Sequence, residues 1–334
     1  MSPLEQEIDL VAAATAFAGV VRVDHGEDVR LLKAYGLAHR GYAVTNAVDT
    51  QFGIASGTKG LTALAVLSLI EEGRLELSTT ARSVLGDDLP LISAEVTVEQ
   101  LLTHRSGIGD FFDEDAMGDV NDYVLPIPVH ELASTEDYLR VLDGFPAKFL
   151  PDEQFSYCNG GYVVLALIAE RSSGTPFHEL VRHRVCEPAG MPDTHFLRSD
   201  ELGSRAARGY LGVDGPRTNI FHLPVVGSGD GGIYSTADDI HALWAAFFAG
   251  KIVAPNWVAE MVRPRSDVPW ESMRYGMGFG LHESGPGVML VGMDAGVSFN
   301  TVHDPVADFT YTVLSNTSDG AWPIARRLAG LHTT

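Results

Sequence analysis

The chain is short of lysine, of cysteine and of positive charge, and each shortage excludes something. Lysine and arginine total 23 against 44 aspartates and glutamates, a formal net charge of −21 over 334 residues. A surface this acidic repels phosphate backbones and anionic lipid heads, so neither nucleic acid nor a membrane is an expected partner. Two cysteines, Cys158 and Cys186, cannot build a disulfide framework, and no CxxC pair offers a zinc or redox site. They read as reduced structural thiols. The apolar runs 11–21 and 61–70 are both too short to span a bilayer. The N-terminus is acidic where a secretion signal is basic, so the expected compartment is the cytoplasm. Lysine is the scarcest charged residue, with only Lys33, Lys59, Lys148 and Lys251.

What is present is globular. Hydrophobic residues make up 45% and charged residues 20%, ample for a large core in one domain or two intertwined ones. Residues 4–16 read as a helix, and the apolar runs 17–23 and 29–35 as an antiparallel hairpin. Ser56 opens a helix that runs to Glu72 and stops at Gly73. Its leucines, valine and isoleucine surround most of the axis, so it belongs inside the fold. Further helices are expected at 98–103, 134–142, 161–172 and 236–249, and a last one from Trp322-Pro323. Strands are expected around 275–282, 288–291, 297–303 and 309–315. Strands at both ends with helices between them suggest one antiparallel sheet built from both termini.

Two clusters carry chemistry. In Ser56-Gly57-Thr58-Lys59 the serine and lysine stand at i and i+3 and share a helix face. A serine hydroxyl needs a base, and a lysine amine can be that base only where burial disfavours its ammonium form. The helix N-terminus adds free N–H groups suited to an oxyanion. The bland alternative is a helix cap beside a surface lysine. In Tyr157-Cys158-Asn159, just before an apolar helix, phenol and amide can point the same way. A lysine ammonium near Tyr157 would lower the phenol's pKa, and Tyr157 could then shuttle a proton. The alternative is a structural tyrosine beside a turn.

Together these motifs resemble the first two signatures of the penicillin-recognising serine hydrolases, which include class C β-lactamases, D,D-peptidases, D-aminopeptidases and β-lactamase-like esterases. The surroundings are similar too: Phe52-Gly53-Ile54-Ala55 before the serine, Leu101-Leu102-Thr103-His104-Arg105-Ser106-Gly107, and Gly231-Gly232-Ile233-Tyr234-Ser235-Thr236. The resemblance covers residues 17 to 330. It implies an α+β fold, an antiparallel sheet flanked by helices plus an all-helical domain. Residues 1–73 and 225–334 would form the α/β domain and 74–224 the mainly helical one, with the active site in the cleft between.

The third signature departs from the family. Its Lys-Thr-Gly or His-x-Gly corresponds here to the stretch from Val291 to Phe299. Aligned through Gly296, Asp294-Ala295-Gly296 takes its place; aligned one residue earlier, Met293 replaces the histidine. The first is favoured, because Gly296 keeps the residue that lets backbone and substrate approach. In either case the cationic or histidine group is gone, which disfavours β-lactamase activity.

Other motifs fail on context. Gly227-Ser228-Gly229-Asp230-Gly231-Gly232 formally fits GxGxxG but lacks a βαβ frame. His178 and His183 miss the spacing of a helical zinc pair. His104 reads as a structural hydrogen-bonding group, and Asp113-Glu114-Asp115 as a solvated acidic loop.

The expected function is hydrolysis of a small ester or amide through an acyl-enzyme on Ser56. Lys59 and Tyr157 relay protons, Asn159, Asp294, Gly296 and Met293 contact substrate, and the amides of Ser56 and Val297 hold the oxyanion. Esters are favoured over amides, and no metal or organic cofactor is expected. The rivals are a non-catalytic descendant that binds a ligand or partner in the old cleft, and a D-amino-acid-type peptidase or amidase.

Overall fold

A computed structural model describes residues 2–114 and 116–332. Its frame is an eight-stranded antiparallel sheet. The strands are Gly19–His25 (β1), Asp28–Tyr35 (β2), Ser266–Val268 (β3), Met273–Tyr275 (β4), Gly280–His282 (β5), Val288–Asp294 (β6), Val297–Asp304 (β7) and Phe309–Ser315 (β8). Across the sheet they run β2-β1-β8-β7-β6-β5-β4-β3. The N-terminal hairpin therefore joins the last strand, with register from Gly19 opposite Ser315 to His25 opposite Phe309.

The period of two along a strand sends neighbouring residues to opposite faces. Val21, Val23, Tyr311 and Val313 pack under the terminal helices Pro3–Thr15 and Ala321–His332, against Ile8, Ala12, Ile324 and Leu328. Val20, Phe299 and Leu314 point the other way, into the larger core. That core holds two helices buried nearly all round, Thr58–Glu71 and Asn159–Ser173. A helix apolar on every side is stable only where protein surrounds it, so these two cross the middle of the molecule. Residues 74–224 supply short helices, 3₁₀ turns and the Asn159–Ser173 helix, which packs directly on Thr58–Glu71.

The differences from expectation are local. The helix expected to open at Ser56 begins as a 3₁₀ turn, Ala55–Gly57, and becomes α-helical at Thr58. The stretch 275–282 is two strands, β4 and β5, separated by a turn at Gly278. Gly278 has φ +83°, and a Cβ there would meet the Ala63 methyl at 2.4 Å, so only glycine suits the position. β6 runs on past Val291 to Asp294, which moves the end of the hairpin. Segment 134–142 is a 3₁₀ turn, Thr135–Tyr138, followed by one α-turn, Leu139–Leu142. Among the described residues no helix is long and apolar enough to cross a membrane.

Candidate active site

Ser56 sits on a strained turn. Ala55, immediately before it, has φ +44°, a left-handed value that costs a non-glycine residue about 1–3 kcal/mol. The neighbours enforce it. The Ile54 N–H donates to Ile233 O at 2.9 Å, and Gly57 N–H donates back to Ile54 O at 2.8 Å. The turn delivers Ser56 to the first turn of the buried helix.

Lys59 follows one turn later and is 1% exposed. Its Nζ donates to Ser56 Oγ at 2.9 Å, to Asn159 Oδ1 at 2.7 Å and to the Asp230 carbonyl at 2.8 Å. Three acceptors match the three protons of an ammonium group. Nζ also lies 4.9 Å from the centre of the Tyr157 ring.

The Tyr157 phenol lies beside the Ser56 side chain. Its pKa is not lowered as the sequence suggested. Burial pushes it well above the usual tyrosine value and the Glu114 carboxylate adds to that, while the neighbouring Ser56 hydroxyl only partly opposes them. The phenol is therefore neutral at pH 7 and holds a proton it can donate.

Asn159 is fixed by its partners. Oδ1 faces Lys59, and Nδ2 donates to Phe112 O at 2.9 Å and Glu114 Oε1 at 3.1 Å. Its backbone N–H and that of Gly160 donate to the two oxygens of Asp110, at 2.6 and 2.8 Å. A carboxylate from a distant loop thus caps the helix that begins at Asn159. Neither Asp110 nor Glu114 was legible as a site residue. The loop read as solvated and acidic is bonded into the site at Glu114, and Asp113 pairs with Lys148 at 2.7 Å. Asp115 lies outside the described residues.

His104 is structural, and its tautomer follows from its neighbours. Nδ1 accepts the Cys158 N–H at 3.1 Å, so Nε2 carries the hydrogen that faces the Tyr275 hydroxyl at 3.2 Å. Burial holds the ring well below the usual histidine pKa. Its centroid is 4.3 Å from that of Tyr157, so it packs directly against the proposed relay.

The third wall is β6, and here the structure corrects the sequence reading. The glycine that abuts the nucleophile is Gly292. A Cβ on it would lie 2.2 Å from Ile54 O and 2.9 Å from Ser56 N. Gly296 sits in the hairpin turn at φ +71°, where a Cβ would meet Tyr210 N, away from Ser56. Val297 closes that turn opposite Asp294, so its amide belongs to the hairpin and not to an oxyanion hole. Leu290-Val291-Gly292 therefore occupies the place facing the nucleophile, with Leu290 packed on Gly60. The overlooked signal was a glycine inside an otherwise apolar strand, a common mark of close backbone approach.

Met293 is 44% exposed. Asp294 lines the cleft together with Ser56, Asn159 and Asp230. Burial raises Asp230 to about 6, with Lys59 opposing. Burial, followed by the charge of Asp230, raises Asp294 to about 7, again against Lys59. Among the described residues no group of side chains suits a metal ion.

A serine, a lysine and a tyrosine meet where two buried helices and a sheet edge converge, which defines a serine-hydrolase architecture. The Beta-lactamase family model matches residues 6–333, and the chain belongs to that family of serine hydrolases. Esterase EstB of Burkholderia gladioli is 30% identical over 284 residues, covering 77% of this chain and 72% of its own. PbpX of Bacillus subtilis, named for the penicillin-binding type, is 28% identical over 82% of this chain. The chain spans 64% of that relative's length. Among solved structures, a penicillin-binding protein from Bacillus halodurans superposes with TM-score 0.91 at 31% identity, covering 97% of this chain and 99% of that one.

Proposed function

We propose that the protein hydrolyses a small ester or amide through an acyl-enzyme on Ser56. The observation that carries this reading is the Lys59 Nζ–Ser56 Oγ contact of 2.9 Å, between a buried lysine and a serine that lines the cleft. In this reading Lys59 reacts as the neutral amine, with its two protons on Asn159 Oδ1 and the Asp230 carbonyl and its lone pair toward Ser56 Oγ, and takes the serine proton as the hydroxyl attacks the carbonyl. The neutral Tyr157 phenol donates to the leaving group and regains a proton from the Lys59 ammonium formed in the attack, since the acylated Ser56 oxygen carries none. Water then releases the acid by the reverse relay. The intact serine, lysine and tyrosine weigh against a non-catalytic descendant.

The oxyanion site is assigned to the amides of Ser56 and Met293. Ser56 N–H has no acceptor among the described residues. In an antiparallel ladder alternate residues turn their amides toward the partner strand and away from it. Asp294 and Gly292 bond β7, so Met293 turns its N–H to the free edge beside Ser56. β5 pairs with β6 only at Val288 and Met289, leaving that edge open for substrate.

Esters are placed ahead of amides, with support from the esterase relative. β-Lactam turnover is expected to be weak, because the apolar Leu290 stands where the family carries a cationic or histidine side chain. The test is a fluorophosphonate probe with peptide mass mapping, run beside a panel of p-nitrophenyl esters. The reading requires one adduct on Ser56 and ester turnover; labelling elsewhere, or none, overturns it.

A further prediction separates the two glycines. Gly292→Ala forces β6 and the Ser56 turn apart, and a displacement near 1 Å at a reacting centre costs about 10²-fold in rate. Its kcat/KM should fall by about that factor while the melting temperature drops modestly. Gly296→Ala should instead lower stability first, being strained at φ +71°. Activity of Gly292→Ala within about threefold of wild type would return the third signature to another residue.

A further inference from the structure

We propose that the substrate of this site carries a positive charge close to its scissile bond, and that Asp294 is the residue that selects it. The inference rests on the hydrolase reading above and names the substrate class for the same cleft.

Three observations carry it. First, Asp294 shares the cleft wall with Ser56, and no described side chain or backbone N–H donates to its carboxylate. A carboxylate set into a half-buried wall without a donor is costly unless a ligand supplies the partner. Second, the glycine opposite it leaves room for that partner. The spot where a Cβ of Gly231 would sit lies 3.7 Å from Asp294 Oδ2 and 3.7 Å from the Ala55 carbonyl oxygen. Two acceptors thus face one gap beside the residue that precedes the nucleophile. Third, the charge around the gap is of one sign. Asp230 lines the same cleft, and Glu114 accepts from Asn159, which lines it too. The cation that faces them, Lys59, already has its three protons on Ser56, Asn159 and Asp230. The aromatic rings of Phe112 and Tyr123 complete the wall, and aromatic faces attract cations.

A substrate carboxylate at this position would meet repulsion. Two like charges about 4 Å apart at an effective dielectric near 20 interact by roughly 4 kcal/mol before relaxation. An opposite charge gains on the same scale, so the sign of the substrate charge decides specificity. Esters or amides of amino acids, or esters of amino alcohols, have the required chemistry.

The test uses shape-matched pairs whose charge does not titrate. One pair puts the charge in the acyl chain: p-nitrophenyl 4-(trimethylammonio)butanoate against p-nitrophenyl 5,5-dimethylhexanoate. The other puts it in the alcohol: choline butyrate against 3,3-dimethylbutyl butyrate. The expected result is a cationic-to-neutral ratio of kcat/KM of about tenfold or more in at least one pair. That ratio should fall at least about threefold in Asp294→Asn. In wild type it should also rise between pH 6 and pH 8. Asp294, raised to about 7 among Asp230, Glu114 and Lys59, gains its charge across that window, and Asp230, raised to about 6, gains its charge in the same sense. Ratios near one in both pairs, or a ratio unmoved by Asp294→Asn and by pH, overturn the inference. If fluorophosphonate still labels Ser56 in that case, the hydrolase reading stands alone. Absence of labelling together with absence of turnover of all four esters overturns both.

Discussion

Ser56→Ala should lose at least about 10³-fold in kcat/KM toward any ester the wild type turns over. The expectation follows from position. The hydroxyl is the group that Lys59 and Tyr157 both address, at 2.9 Å in the first case. Without it no acyl-enzyme forms, and what remains is the modest assistance that oxyanion donors and binding give to water. The fold should be indifferent. The substitution deletes one oxygen at the cleft wall and leaves Lys59 with two of its three acceptors, Asn159 Oδ1 and the Asp230 carbonyl. One lost hydrogen bond is worth about 1 kcal/mol, which in a chain of this size moves the melting temperature by about 1–2 °C. Kinetics on the best ester of the panel, with thermal unfolding in parallel, checks both halves. Turnover within about tenfold of wild type removes Ser56 as the nucleophile, whatever the melting temperature does.

The parts of this site that sequence made legible are those fixed by local spacing. A serine and a lysine three residues apart in helical backbone share a face, and the 3₁₀ turn Ala55–Gly57 running into the Thr58–Glu71 helix places them in contact. Tyr157 and Asn159 were legible because they flank the start of an equally apolar helix. Strands of the sheet were legible too: β8, inside the sheet between β1 and β7, occupies 309–315 as expected. Interactions between distant segments were not. Asp110 caps a helix that begins 49 residues further on, and nothing in its own neighbourhood announces this. Glu114 sits in an acidic loop whose composition looks like that of any solvated loop. The third signature was misplaced because two glycines four residues apart both fit, and the end of the hairpin depends on pairing with β7. Once β6 is extended to Asp294, Gly296 becomes a turn residue and Gly292 the point of close approach. The direction of the Tyr157 shift was missed for a related reason. The nearby ammonium is visible in the motif, whereas complete burial of the phenol is a property of the packed fold.

The Lys59 series has the other large expected effect, because it separates a proton acceptor from a fixed charge. Lys59→Met removes the amine at similar length, and Lys59→Arg keeps a positive charge that cannot be given up at any accessible pH. If Lys59 accepts the serine proton, both variants should lose about 10³-fold or more in kcat, and neither should recover between pH 6 and pH 9. If it supplies only charge, arginine should retain much of the activity and methionine should not. Burial complicates the comparison, since Lys59 is 1% exposed and a guanidinium needs more room than an ammonium. The methionine variant controls for this. It fits the space but leaves Asn159 Oδ1 and the Asp230 carbonyl without their donor, at about 1–3 kcal/mol for each unsatisfied group. Its melting temperature should therefore fall several degrees with the active site still assembled. Fluorophosphonate labelling then reads the nucleophile directly, and it should be slow in both variants even though Ser56 is present. Rapid labelling of Lys59→Arg at pH 7, at a rate near wild type, would show that another group takes the serine proton and that Lys59 serves to hold Ser56, Asn159 and Asp230 in place.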